Sequence, residues 1–125
     1  MPDQVRERMV SQSKRFMRDC GYRGILAIEY FVKGDEVYFN EMAPRPHNSG
    51  HWTIEGSTTN QFRELCRYLL DMPLEEPQLK APTVMKNILG QDLERAEALA
   101  RENRPGVYVH IYGKTFPSPS ARWDT

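Results

Sequence analysis

Two acidic residues stand in otherwise apolar stretches, and their types and spacing suggest chemistry. Glu29 lies within residues 24–32 and Glu41 within residues 37–42, and both stretches are rich in β-branched and aromatic side chains. The short polar segment between them contains Gly34 and an aspartate, which is typical of a tight turn. The sequence therefore predicts a β-hairpin with one acid on each strand.

The hairpin register decides whether the two acids meet. A three-residue loop over residues 34–36 would put Glu29 opposite Glu41, whereas a two-residue loop would put Asn40 there and turn Glu41 to the other face. Facing carboxylates repel unless a proton or a cation lies between them, and oxygen-only ligands favour magnesium when substrate phosphates complete the shell. We predict that Glu29 and Glu41 share one face, the alternative being two acids on a solvated edge.

The loop that follows the hairpin carries four polar side chains within five positions: Arg45, His47, Asn48 and Ser49. Arginine offers a planar fork to carboxylate or phosphate, and histidine can move a proton near neutral pH. This combination suits an anionic ligand. A zinc site at His47 and His51 has no third nitrogen or sulfur ligand nearby, and a loop-stabilising hydrogen bond remains the alternative for either histidine.

Apolar periodicity predicts the elements around these groups. A helix over residues 4–20 ends at Gly21, and residues 43–56 form a loop. A second helix follows a capping box at residues 58–61, with apolar residues at helical spacing from Phe62 onward. Farther along, the pattern predicts a strand over residues 83–90 and a helix over residues 91–103. A second strand over residues 107–112 and a Pro/Ser tail over residues 115–125 follow.

Composition limits the functional class. The 125 residues carry 17 basic and 17 acidic side chains, and this net charge of zero argues against a general nucleic-acid or membrane-surface binder. No apolar segment is long enough to span a membrane. The length is enough for one hydrophobic core, and the two cysteines are expected to be reduced, so we expect a cytoplasmic protein.

Several segments resemble one family, 5-(carboxyamino)imidazole ribonucleotide synthase, the ATP-grasp subunit of phosphoribosylaminoimidazole carboxylase. The most specific is Asn-Glu-Met-Ala-Pro-Arg-Pro-His-Asn-Ser-Gly-His-Trp-Thr, and the segments together are residues 28–31, 40–53, 61–62, 84–90 and 110–114. The resemblance implies an α+β fold, the C-terminal part of an ATP-grasp fold: an antiparallel sheet with flanking helices and a small C-terminal β/α segment. It implies an ATP-grasp part over residues 1–78, a small domain over 79–114 and a poorly ordered tail.

The same resemblance implies an ATP- and magnesium-dependent ligase of purine biosynthesis that joins bicarbonate to aminoimidazole ribonucleotide through carboxyphosphate. The implied roles are magnesium binding by Glu29 and Glu41, nucleotide binding by Asn40 and Glu41, catalysis at the bicarbonate or carboxyphosphate by Arg45 and His47, and substrate binding by Asn48, Ser49 and Lys114. The full-length enzyme is implied to be a homodimer.

The chain also departs from this family. Family members are much longer, a Gly-rich phosphate loop is lacking, and the sequence after Lys114 diverges from the family pattern. We therefore expect the chain alone to be inactive. Two alternatives stay open: a non-catalytic nucleotide- or metal-binding module, and an enzyme like the formate-dependent glycinamide ribonucleotide transformylase, which shares a Pro-Arg-Pro-His element.

Overall fold

A computed structural model describes residues 1–112 of the chain, and Lys114 and the predicted tail lie outside the described residues. The chain divides into two compact units, Met1–Met85 and a second that begins at Lys86. Helices and one antiparallel sheet give an α+β architecture, as predicted. The predicted domain boundary after residue 78 stays a prediction.

The first helix, α1, spans Asp3–Asp19 and confirms the helix predicted over residues 4–20. Its C-cap is Cys20, and the next residue, Gly21, has a φ of +62°, the left-handed conformation that glycine adopts without a Cβ penalty. The Tyr22 N–H donates to the Met17 carbonyl at 2.9 Å, and the Gly21 N–H donates to the Arg18 carbonyl. This pair of bonds is a Schellman motif, which turns the chain from the helix toward the sheet.

The sheet is a hairpin of β1, Ala27–Lys33, and β2, Glu36–Ala43. Only Gly34 and Asp35 separate the paired residues Lys33 and Glu36, so the turn has two residues. Gly34 has a φ of +60°, as expected at the first central position of a type II′ turn. A turn of this length allows the strands to pair without splaying.

Helix α1 packs on the hairpin through polar as well as apolar contacts. The Ser13 and Tyr30 hydroxyl groups lie 2.8 Å apart, and Arg8 Nη1 donates to the Asp35 carbonyl at 2.7 Å. Val5 of α1 is fully buried. The helix therefore supports the hairpin near its turn and at its middle.

The segment after the hairpin is more regular than predicted. Residues 43–56 contain a 3₁₀ turn, Asn48–Gly50, and a short helix α2, Thr53–Gly56, where we predicted a loop alone. Helix α3, Gln61–Leu69, confirms the second predicted helix. Its N-cap is Asn60, whose side-chain oxygen accepts from the backbone N–H groups of Phe62 and Arg63, at 3.1 and 3.0 Å. A single Asn cap thus replaces the predicted capping box.

The chain beyond α3 is tied back to that helix by ionic groups. Glu64 accepts from the Thr59 hydroxyl and from the Glu75 N–H, and Arg67 forms an ion pair with Glu75. Burial by itself raises the pKa of Glu64, but these hydrogen bonds and the charges of Arg67 and Arg63 outweigh it, so the pKa is lowered from 4.5. The ionised carboxylate therefore stabilises this part of the fold.

The two strands predicted beyond α3, over residues 83–90 and 107–112, are wrong. In the described part of the chain the second unit contains a 3₁₀ turn, Gly90–Asp92, and helix α4, Leu93–Arg101, which confirms the helix predicted there. Apolar alternation is necessary for a half-buried strand, but a strand also needs a partner for its backbone groups. Neither segment pairs with another described strand.

The hydrophobic core is smaller than the length suggests. Among the described residues, the buried apolar side chains are Val5 in the first unit and Ala96 in the second. Many large apolar side chains are exposed, and Val84 keeps 96% of its surface accessible. The expectation of one substantial core is therefore wrong. No helix in residues 1–112 has the length and apolar character needed to cross a membrane.

Candidate functional site

The two acids predicted to meet do face each other on the hairpin. Glu29 pairs with Glu41 across β1 and β2, and His47 approaches them from the loop that follows. One ligand atom from each of the three side chains lies within 4.8 Å of the others. Glu41 is exposed, whereas Glu29 and His47 are half-buried. We call these three residues the acid–histidine cluster.

A β-bulge, rather than the turn, brings the acids together. The turn has two residues, which alone would place Asn40 opposite Glu29, but the register shifts so that Tyr30 pairs with Phe39 and Glu29 pairs with Glu41. Asn40 is the extra residue of the bulge. The predicted juxtaposition is confirmed, and the three-residue loop offered as its cause is wrong.

Asn40 stays close to the cluster. Its Nδ2 lies 3.4 Å from Glu29 Oε2, which is long for a hydrogen bond. The bulge therefore places the Asn40 amide beside the carboxylates, where its hydrogen bond to Glu29 is weak.

The donor set of the cluster fits a divalent cation. Two carboxylates this close raise each other's energy unless positive charge lies between them. Magnesium takes one or two carboxylates and completes its octahedron with water or phosphate oxygens. Glu29 and Glu41 supply that minimum, and the exposure of Glu41 leaves room for further oxygen ligands.

His47 is held at the edge of the cluster by its own loop. Its Nδ1 lies 2.9 Å from Ser49 Oγ and 3.9 Å from Glu29 Oε1, and it accepts from the Ser49 N–H with 3.4 Å between the two nitrogen atoms. The imidazole therefore acts as the N-cap of the 3₁₀ turn while it faces a carboxylate of the sheet. The predicted loop-stabilising contact and the predicted approach to the site coexist in this one residue.

The remaining predicted loop residues lie around the cluster with different partners. Arg45 is exposed, and its Nη1 donates to the Pro46 carbonyl at 3.1 Å. The half-buried Asn48 begins the 3₁₀ turn, and its carbonyl accepts from the His51 N–H. Lys114 lies outside the described residues.

A cavity of about 390 Å³ adjoins the loop. Its lining is mainly apolar, with Met17 and residues 24–27, and it also includes His47, Ser49 and Gln61. Small-molecule sites commonly combine an apolar lining with a few convergent polar groups. His47 belongs both to this cavity and to the acid–histidine cluster, so the two are adjacent.

Tyr38 lies on the same face of the hairpin as the acids, toward the turn. Its hydroxyl donates to Glu36 Oε2 at 2.5 Å. This hydrogen bond raises the pKa of Tyr38, because ionisation would place a phenolate against a carboxylate.

Gln61, the first residue of α3, has no role predicted from the sequence, although its side chain contacts the backbone of His47. The sequence does contain a hint of this contact, since an amide side chain at the start of a helix follows a His-rich turn that contains Gly50. Sequence spacing does not show which way that amide points.

Family models match two parts of the chain. The family model described as ATP-grasp domain matches residues 1–62, which include the hairpin, the bulge and the acid–histidine cluster. The chain is thus an ATP-grasp protein. A second model, described as phosphoribosylaminoimidazole carboxylase C-terminal domain, matches residues 83–120. Within the class, the chain belongs to the N5-carboxyaminoimidazole ribonucleotide synthase family of enzymes, and it corresponds to the C-terminal portion.

Relatives and solved structures support this assignment. The N5-carboxyaminoimidazole ribonucleotide synthase of Vibrio cholerae is 45% identical over 81% of this chain and 26% of its own length, and that of Corynebacterium ammoniagenes is 38% identical over 89% and 30%. A crystal structure of an N5-carboxyaminoimidazole ribonucleotide synthetase in complex with ADP matches with a TM-score of 0.82, at 37% identity over 91% of this chain and 30% of that one. The Staphylococcus aureus enzyme complexed with ADP matches with a TM-score of 0.78, at 34% identity over 88% and 30%. The chain therefore spans less than a third of the length of these relatives.

Proposed function

We propose that this chain takes part in the carboxylation of aminoimidazole ribonucleotide by ATP and bicarbonate. It would contribute the part of the ATP site that binds magnesium and the phosphates, and the adjoining loop over residues 45–49 that binds an anion. The observation that carries the proposal is the facing pair Glu29 and Glu41 with His47 beside it. Family membership supports the reaction, and the neighbours solved with ADP support the binding of a nucleotide.

In this proposal Glu29 and Glu41 hold magnesium, and Asn40 and Glu41 border the nucleotide. Bound magnesium would neutralise charge on the ATP phosphates. Phosphoryl transfer depends mainly on positioning and charge neutralisation, so two fixed carboxylates at a sheet bulge are sufficient protein ligands. A bicarbonate oxygen would take the γ-phosphoryl group, giving carboxyphosphate and ADP.

The loop residues are proposed to serve the second half of the reaction. Arg45 would bind bicarbonate or carboxyphosphate through two parallel hydrogen bonds, and His47 would orient the same group or move a proton. Asn48, Ser49 and Lys114 would hold the ribonucleotide. The cavity beside His47 and Ser49 offers a largely apolar wall for a flat heterocycle.

The chain by itself is expected to bind nucleotide weakly and to show no turnover. It spans less than a third of its relatives' length, so contacts that align ATP with bicarbonate would come from elsewhere. Alignment of that kind is worth about 7–11 kcal/mol of a reaction barrier. Assembly of the whole enzyme as a homodimer and a cytoplasmic location remain predictions.

A chimera tests the proposal. This chain would replace the corresponding C-terminal portion of a full-length relative of the same family, and phosphate release would be measured with ATP, bicarbonate and aminoimidazole ribonucleotide. We expect release that requires all three substrates, and loss of it in Glu29→Gln. Glu76→Gln, an equal charge change at an exposed residue, is the matched control.

Two results would contradict the proposal. Full release in Glu29→Gln would exclude the acid pair from the reaction. A chimera that binds ATP without release would favour a non-catalytic binding module, provided that the same relative with its own C-terminal portion is active in parallel.

A further inference from the structure

Gln61, at the start of α3, holds the backbone of His47 from both sides. Its Oε1 accepts from the His47 N–H at 2.8 Å, and its Nε2 donates to the His47 carbonyl at 2.7 Å. Both bonds join residues 14 apart in the chain and are partly shielded from water. A side-chain amide thus pairs with one residue's backbone as a neighbouring strand would.

This pairing fixes which way the amide points. A backbone N–H can only donate and a carbonyl can only accept, so the oxygen and nitrogen of Gln61 cannot exchange places without losing both bonds. The same Nε2 lies 2.8 Å from His51 Nδ1, which must therefore accept. One amide consequently orients both histidines of the loop.

Gly50 makes room for this amide. A Cβ built on Gly50 would lie 2.7 Å from Gln61 Oε1 and 2.9 Å from Gln61 Cδ, closer than real Cβ contacts come. The atoms it meets are the end of a flexible side chain, so an alanine there would displace the amide rather than the backbone.

We propose that Gln61 is a positioning residue that holds His47 at the distance from Glu29 that the reaction needs. The inference rests on the proposed function, in which His47 faces the bicarbonate or carboxyphosphate. The Gln61 side chain hydrogen-bonds to His47 and His51. It acts through the His47 backbone, which carries the imidazole to within 3.9 Å of Glu29 Oε1.

The primary variant is Gln61→Glu. A carboxylate has the size of the amide and can still accept from the His47 N–H, but it cannot donate to the His47 carbonyl or to His51 Nδ1. An acid in the first turn of a helix is favourable, so α3 should persist. Gln12→Glu, the same change at an exposed position of α1, is the matched control.

Two readouts on the 125-residue chain separate positioning from folding. The first is the nuclear Overhauser contact between the His47 ring and the Glu29 side chain, which we expect in the wild type and Gln12→Glu, and expect to lose in Gln61→Glu. The second is MgATP affinity by isothermal titration, which should change less than about twofold, corresponding to 0.4 kcal/mol, because Glu29 and Glu41 stay in place. A merely structural role would weaken both together.

Gly50→Ala provides a second test, since it leaves Gln61 chemically intact but occupies the space of its amide. It should lose the same His47–Glu29 contact, and adding it to Gln61→Glu should cause no further loss. A His47–Glu29 contact that survives in both variants would overturn the inference, and so would a parallel loss of MgATP affinity. If the Glu29→Gln chimera keeps full phosphate release, the proposed function fails, while the His47–Glu29 contact still decides the role of Gln61.

Discussion

Replacement of Glu41 by glutamine should change stability and cation affinity in opposite directions. The ligand oxygens of Glu41 and Glu29 lie within 4.8 Å of each other, and two unit charges at this distance repel by about 0.9 kcal/mol in water and by about 3.5 kcal/mol at an effective dielectric constant of 20. Glu41 is exposed, so the lower figure applies. Without divalent cations, Glu41→Gln should therefore raise the free energy of unfolding by about 1 kcal/mol.

The same substitution should weaken cation binding. A dication about 4 Å from a carboxylate gains roughly 2 kcal/mol from it in water, so loss of one carboxylate should raise the magnesium dissociation constant about thirtyfold. Urea unfolding in EDTA would give the stability change, and titration with magnesium would give the affinity.

Glu76→Gln again supplies the control, because it removes an exposed carboxylate away from the hairpin. It should leave both quantities within error. If Glu41→Gln lowered stability in EDTA and left magnesium affinity unchanged, the two acids would not form a cation site, and their juxtaposition would need another explanation.

Three further predictions concern the bulge, the ionic cluster beyond α3 and the loop. Deletion of Asn40 should remove the bulge yet keep Glu29 opposite Glu41. Magnesium binding by the chain should therefore persist in a titration, and a loss of magnesium binding would mean that the bulge itself shapes the site. Glu64→Gln should cost about 2 kcal/mol near neutral pH. Because the folded-state pKa of Glu64 is lowered from 4.5, that stability is fully present above 4.5 and is lost as the pH falls below this value through the lower folded-state pKa. Urea unfolding at a series of pH values should therefore show the two proteins converging in acid. In the active chimera, Arg45→Lys should raise KM for bicarbonate at least about tenfold, since lysine offers a point charge in place of a planar fork; an unchanged KM would reassign Arg45 to its contact with Pro46.

The hairpin was the part of the fold that sequence could predict best, because it depends on local pattern. Alternation of apolar residues and a Gly-Asp turn define two strands wherever they pair. The bulge could not be predicted, since Asn40 is compatible with a regular strand as well and a local sequence does not report an unpaired residue. The facing acids were therefore expected for a reason that proved incorrect.

The strands expected over residues 83–90 and 107–112 show the opposite limit. Their composition is as strand-like as that of β1, but a strand forms only when another segment satisfies its backbone groups, and that partner is not a property of the segment. The candidate site likewise depends on contacts between segments that are distant in the sequence. Arg45, His47 and Ser49 were found by residue type, whereas the link from Gln61 to His47 joins two segments whose approach the sequence does not state.

The position of the bulge in the hairpin has a kinetic consequence. A hairpin that closes from its turn would first form the four regular pairs from Lys33–Glu36 to Tyr30–Phe39, and only after the bulge would Glu29 meet Glu41. If the barrier to folding is crossed while the pairs nearest the turn form, repulsion between the carboxylates arises only afterwards. A cation that bridges them should accordingly leave the folding rate nearly unchanged and slow unfolding, so that the bound ion lengthens the lifetime of the site rather than hastening its formation.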